Sequence, residues 1–121
     1  MLVRRTTEAE EIIANDGCRL RELFHPERDE SGLPYSLAAA RVEPGERTSP
    51  HCLTEETEVY YVVRGQGRMH VGEAESLLRE GDAVVIPAAS VQWIECIGDE
   101  PLEFVALVSP PWRADHDVRA E

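Results

Sequence analysis

Between Ser49 and Gly67 the chain reads "SPHCLTEETEVYYVVRGQG", in which one imidazole, His51, stands seven residues before a carboxylate, Glu58. Glu58 in turn opens a run of β-formers. Successive side chains on a strand point to opposite faces, so Ser49, His51 and Leu53 share one face and Cys52 takes the other. By the same parity Glu58, Tyr60 and Val62 share a face, opposite to Val59, Tyr61 and Val63. If the acidic segment "TEET" turns the chain, His51 and Glu58 face each other across a hairpin. An imidazole and a carboxylate in a barrel mouth begin either a divalent metal site or an acid/base pair. Tyr60, on the face of Glu58, could supply a proton or a hydrogen bond.

Each of these residues also has a plainer reading. A lone histidine on a strand is more often a satisfied structural group than a ligand. Glu58 by itself would be one more solvated acid beside Glu55 and Glu56. Arg47 has the parity of His51 if its strand starts early enough, and could then pair with an anionic substrate. Otherwise it is solvated in the turn after Gly45. Gln92 could coordinate through its amide oxygen, or line a rim beside Trp93. Cys96 shares the face of Gln92 and reads as a soft ligand, a reactive thiol or a small buried hydrophobe. His25 and His70 read as surface or loop histidines, and His116 falls in a mobile tail.

The elements that must position these groups are mostly strands. Thr7 followed by Glu10 fits a capping box, Ile12 and Ile13 give an apolar side, and Gly17 could stop a short N-terminal helix. "HPERDESGLP" (25–34) is a loop by composition, and "SLAAARV" (36–42) reads as a strand leading into Pro44-Gly45. Turn signals then recur between short apolar runs, "EVYYVVR", "RMHV", "AVVI", "VQWIECI" and "LEFVALV". This pattern predicts an all-β fold, a small antiparallel β-barrel or jelly roll with a short N-terminal helix. One domain is expected, with a core over 18–109, an N-terminal arm over 1–17 and a partly disordered tail over 110–121. Closing or pairing removes exposed strand edges, so the arm is a candidate to pair across a homodimer. Trp112, in that tail, could cap the barrel or pack on a partner.

Composition narrows the function classes. With 121 residues and a net charge of −12, the chain is expected to repel nucleic acid and anionic membrane surfaces. No apolar run is long enough to span a membrane, and "MLVRR" runs directly into "TTEAEE" without a secretory apolar region. Three cysteines, far apart and without a CxxC pair, suggest reduced thiols in a cytoplasmic protein.

The spacing also resembles a known family. Gly45, His51, Leu53, Glu58 and Gly65 match the first motif of the cupin superfamily, with leucine at its second histidine. Gly81, Pro87, Ala89, Gln92 and Cys96 match the second motif, with alanine for glycine, glutamine for histidine and cysteine for asparagine. The resemblance implies a double-stranded β-helix jelly roll and one divalent metal (Mn, Fe, Ni or Zn), held in such proteins by three histidines and a glutamate. Here it implies His51, Glu58 and Gln92 as ligands, His51 and Tyr60 as catalytic groups, and Arg47, Leu53, Tyr60 and Cys96 as pocket residues. Dioxygenase, isomerase or lyase chemistry on a small organic molecule is the expectation. The alternative is a metal-free cupin, either a binding or sensor module or a His51-based acid/base isomerase or cyclase.

Overall fold

The computed structural model describes residues 1–120. It contains β1 (Glu11–Ile13), β2 (Arg19–Phe24), β3 (Ser36–Val42), β4 (His51–Leu53), β5 (Thr57–Arg64) and β6 (Gln66–Val71). β7 (Ala74–Leu78), β8 (Ala83–Ile86), β9 (Gln92–Ile97), β10 (Leu102–Ser109) and β11 (Asp117–Arg119) follow. They form a six-stranded sheet, β1-β2-β3-β10-β5-β8, and a five-stranded sheet, β11-β4-β9-β6-β7, with every pairing antiparallel. This is the expected all-β jelly roll.

Alternation builds the core. On β10 Leu102, Phe104, Ala106 and Val108 point inward, and on β5 Glu58, Tyr60 and Val62 do. Gln92, Ile94 and Cys96 face the same interior from β9. Phe104, Met69, Ile86, Ile94 and Leu102 fill the middle, and Tyr60 packs on Phe104 with ring centroids 4.3 Å apart. Such a core resists small-to-large change. At Gly65 (φ +78°) a Cβ would lie 2.3 Å from the carbonyl oxygen of Pro101, so only glycine lets β5 turn into β6 there.

The ends of the chain depart from expectation. Instead of a helix from Thr7, a single 3-10 turn covers Thr6–Glu8, and β1 then pairs with β2, Ile12 opposite Leu20. The capping box is not used, and Arg5 makes no side-chain cap. "NDG" at 15–17 drives a hairpin instead: Gly17 takes φ +91° and its N–H donates to the Ala14 carbonyl. β-Branched Ile12 and Ile13 suit the strand better than the helix.

The tail is folded as well. β11 pairs with β4, Asp117 opposite Leu53 and Arg119 opposite His51, and the Trp112 indole N–H donates to Asp117 Oδ2 at 2.9 Å. His116 is held between Glu55 and Glu56. His25 is not on the surface: it is 1% exposed and its Nε2 donates to the Trp112 carbonyl at 2.8 Å. His70 lies on β6, its ring stacked on Trp93 with centroids 3.6 Å apart.

Candidate small-molecule site

Between the two sheets lies a cavity of about 850 Å³. Leu53, Phe104, Ala106 and Val108 give it apolar walls, and His51, Glu58 and Tyr60 bring polar groups to it. His51 and Glu58 do not meet across a hairpin as expected. β4 belongs to one sheet and β5 to the other, so "TEET" carries the chain between sheets. On the side of β4 away from β11 its partner is β9, which places Gln92 opposite His51.

Gln92 is the hinge of the site. Its Nε2 donates to Glu58 Oε1 at 2.8 Å, and its Oε1 accepts from the Tyr60 hydroxyl at 2.9 Å. All three side chains are buried. Burial pushes the Glu58 carboxyl up to about 8; the hydrogen bond from Gln92 opposes that rise, and the charges of Asp16 and Asp117 add to it. Burial, then the charge of Glu58, raises the Tyr60 phenol well above its ordinary value. Near neutral pH, Glu58 is therefore an uncharged acid and Tyr60 a neutral hydroxyl.

His51 is held differently. Its Nδ1 lies 3.1 Å from the Ser49 carbonyl oxygen, which can only accept, so Nδ1 carries the hydrogen. In the neutral ring Nε2 then keeps its lone pair, and it lies 3.8 Å from Asp16 Oδ2. Asp16 sits in the β1–β2 hairpin turn. Its carbonyl accepts from the Ser49 N–H at 2.7 Å, and its Oδ1 accepts from the Cys18 N–H at 3.1 Å. The N-terminal hairpin is thus fastened directly to the segment that carries His51.

The family's metal set does not fit these residues. Leu53 stands where a second imidazole is needed and offers no donor. Gln92 aims its amide oxygen at the Tyr60 hydroxyl and turns its NH₂ group, which cannot ligate a cation, toward Glu58. Among the described residues, no three His, Cys, Asp or Glu side chains are grouped so as to hold a metal ion.

Two predicted pocket residues lie elsewhere. The Arg47 guanidinium stacks 4.9 Å over the ring of Trp93, whose side chain alternates away from inward-facing Gln92 and Ile94, so Arg47 does not reach the cavity. Cys96 faces inward but sits opposite Gly67, far along β9 from Gln92, and its thiol donates to the Glu100 carbonyl at 3.1 Å. Leu53 and Tyr60 line the cavity as expected. Sequence reasoning missed Asp16, Cys18 and Asp117, which line it too, and Trp112, read as a cap of the barrel or a partner contact, also lines it. The hairpin signal "NDG" was the one clue to Asp16; nothing local marks Asp117.

Comparison with known proteins agrees with the fold. The Cupin domain family matches residues 39–108. The protein MJ1618 of Methanocaldococcus jannaschii is 35% identical over 100 residues, covering 83% of this chain and 79% of that one. A Thermotoga maritima structure described as a predicted oxalate decarboxylase is 24% identical, with a TM-score of 0.78 over 90% of this chain and 99% of that chain. A variant of Bacillus subtilis oxalate decarboxylase is 26% identical with a TM-score of 0.81, over 96% of this chain but only 31% of that one. With two facing antiparallel sheets, both motif spacings and this family match in place, the chain belongs to the cupins.

Proposed function

We propose that this cupin acts on a small organic molecule by acid–base chemistry, without a metal at the His51–Glu58–Gln92 position. The observation that carries the reading is the Gln92 bridge, which ties Glu58 to Tyr60 and turns the amide NH₂ group, which is no ligand for a cation, toward Glu58. In this reading His51 Nε2 is the base. It takes a proton from a carbon activated by a neighbouring carbonyl, and the imidazolium so formed lies beside the Asp16 carboxylate. Glu58, a neutral acid with Tyr60 behind it, hydrogen-bonds the oxygen on which charge develops. Proton abstraction and return is isomerase, epimerase or cyclase chemistry. A groove between sheets of this size suits a small ligand.

The test is deuterium incorporation in D₂O, followed by NMR, over a panel of small ketones, aldehydes and keto acids, with and without chelator. Exchange that survives chelator and disappears in His51→Ala supports the reading. Exchange abolished by chelator, and restored by Mn, Fe, Ni or Zn, would return the site to metal chemistry. Binding without exchange of any compound would make it a binding module. The arm also bears on assembly: β1 is a sheet edge with Ile12 and Ile13 exposed, which supports a homodimer, and light scattering decides it.

A further inference from the structure

An antiparallel sheet with one face on a core usually alternates apolar residues inward with polar residues outward. The outer face of the six-stranded sheet breaks that rule. β5 turns Val59, Tyr61 and Val63 outward, and β10 turns Val105 and Leu107 outward. The register gathers them into one patch: Tyr61 lies opposite Val105, and Val59 lies opposite Leu107 on one side and Val85 of the edge strand β8 on the other. Tyr61, Val63 and Val85 are 48%, 49% and 63% exposed. The five-stranded sheet, by contrast, turns Arg68, His70 and Glu95 outward. A contiguous exposed apolar face of this kind marks an interaction surface.

Charge narrows what can cover it. Four arginines border the patch, and each is paired with a glutamate. Arg21 pairs with Glu11 at 3.6 Å, and Arg19 and Arg41 pair with Glu43 at 3.7 and 2.7 Å. Arg64 pairs with Glu100 and Glu103 at 3.4 and 4.0 Å. Four guanidiniums against four carboxylates leave this margin neutral, so the net charge of −12 is carried by the rest of the molecule. A basic partner would be drawn to that acidic remainder instead. A body as acidic as this chain can approach closely only where neither surface carries net charge, and a second copy meets that condition by symmetry. Size agrees: six strands about 4.8 Å apart, the longest with eight residues at about 3.4 Å each, make a face of about 27 by 24 Å. Covered on both copies, that is on the order of 1,300 Å², within the range of stable interfaces.

We propose that two copies pair back to back about a two-fold axis, the outer face of one six-stranded sheet against the same face of the other. Tyr61, Val63 and Val85 form the centre, and the paired arginines and glutamates form the rim. The cavity lies on the opposite side of this sheet, so each copy keeps its own site. This contact differs from pairing through the β1 edge, which would join the sheets of two copies side by side.

Sedimentation velocity on the full chain, at micromolar and hundred-micromolar concentration, makes the test. Wild type is expected as a dimer at the higher concentration. Y61E/V85E, which sets like charges across the axis, is expected as a monomer, its association weakened at least tenfold. Both side chains point outward, so a thermal melt should show the variant folded. Raising KCl to about 1 M should tighten the wild-type dimer, because salt screens the repulsion between like-charged bodies, and this measurement needs no variant. A wild type that is monomeric throughout, a dimer that salt does not tighten, or a folded Y61E/V85E that still dimerises overturns the inference. A dimer that survives Y61E/V85E and falls apart in Ile13→Glu overturns it in favour of the β1 edge.

Discussion

Replacing Glu58 with glutamine should make this protein more stable at neutral and alkaline pH, an unusual outcome for a residue in the site. In the folded protein the carboxyl titrates near 8 rather than at its ordinary 4.5, chiefly because it is buried. A raised folded value means that stability is fully present below the ordinary carboxylate range and is lost as pH rises through the folded value. The loss accrues at about 1.4 kcal/mol per pH unit, so between pH 4.5 and about 8 it totals about 5 kcal/mol. At pH 7 the penalty is about 3 kcal/mol. Glutamine is isosteric, keeps an oxygen for Gln92 and carries no charge, so the penalty should vanish in E58Q. For a domain of 121 residues that corresponds to a rise in Tm on the order of 10 °C at pH 7. Urea unfolding of both proteins at half-unit steps from pH 4 to 9 measures it. The two should be equally stable near pH 4 and diverge steadily above it. Parallel curves would refute the argument, and a wild type more stable than E58Q above pH 7 would mean that a cation offsets the charge.

Two further outcomes follow from local geometry. Ala89 holds φ +65°, where the second motif usually has glycine, with its N–H donating to the Leu53 carbonyl. Ala89→Gly relieves that strain and should stabilise the protein by up to about 1 kcal/mol after the entropy glycine costs the unfolded chain, as measured by chemical denaturation. His116 is raised above its ordinary value by hydrogen bonding to Glu56, with Glu55 and Asp115 adding charge. Docking of β11 should therefore be firm at acid and neutral pH and loosen as pH rises through that raised value. Amide exchange at Thr54, whose N–H donates to the His116 carbonyl, should accelerate there more than base catalysis predicts. His116→Gln should remove the step; an unchanged step would show that the imidazole does not hold the tail.

The strand interior was legible because alternation survives any arrangement of sheets. Glu58, Tyr60 and Val62 share a buried face, as do Gln92 and Cys96, as period-two parity predicted. What parity does not give is the partner strand. Glu58 meets Gln92 rather than His51 across a hairpin, because "TEET" changes sheets. At the N terminus two local signals competed, a capping box and the "NDG" turn, and pairing of β1 with β2 decided for the turn. The tail looked disordered because its stabilising partner, β4, lies more than sixty residues away. Arg47 had the right parity for the pocket but found the exposed face of Trp93 instead. Asp117 enters the site by a long-range contact that no local pattern announces, whereas the turn at Asn15-Asp16-Gly17 marks Asp16 only as a hairpin residue.

The central claim is that Leu53 and Gln92 have turned a metal site into an acid–base pocket. It is tested most directly by metal content. Wild type and the double variant L53H/Q92H would each be dialysed against equimolar Mn, Ni and Zn, washed, and analysed by plasma mass spectrometry. The account predicts a wild type with no stoichiometric metal and a double variant, its imidazoles restored beside His51 and Glu58, that retains close to one ion per chain. Wild type retaining one ion per chain, and losing it in His51→Ala, would contradict it.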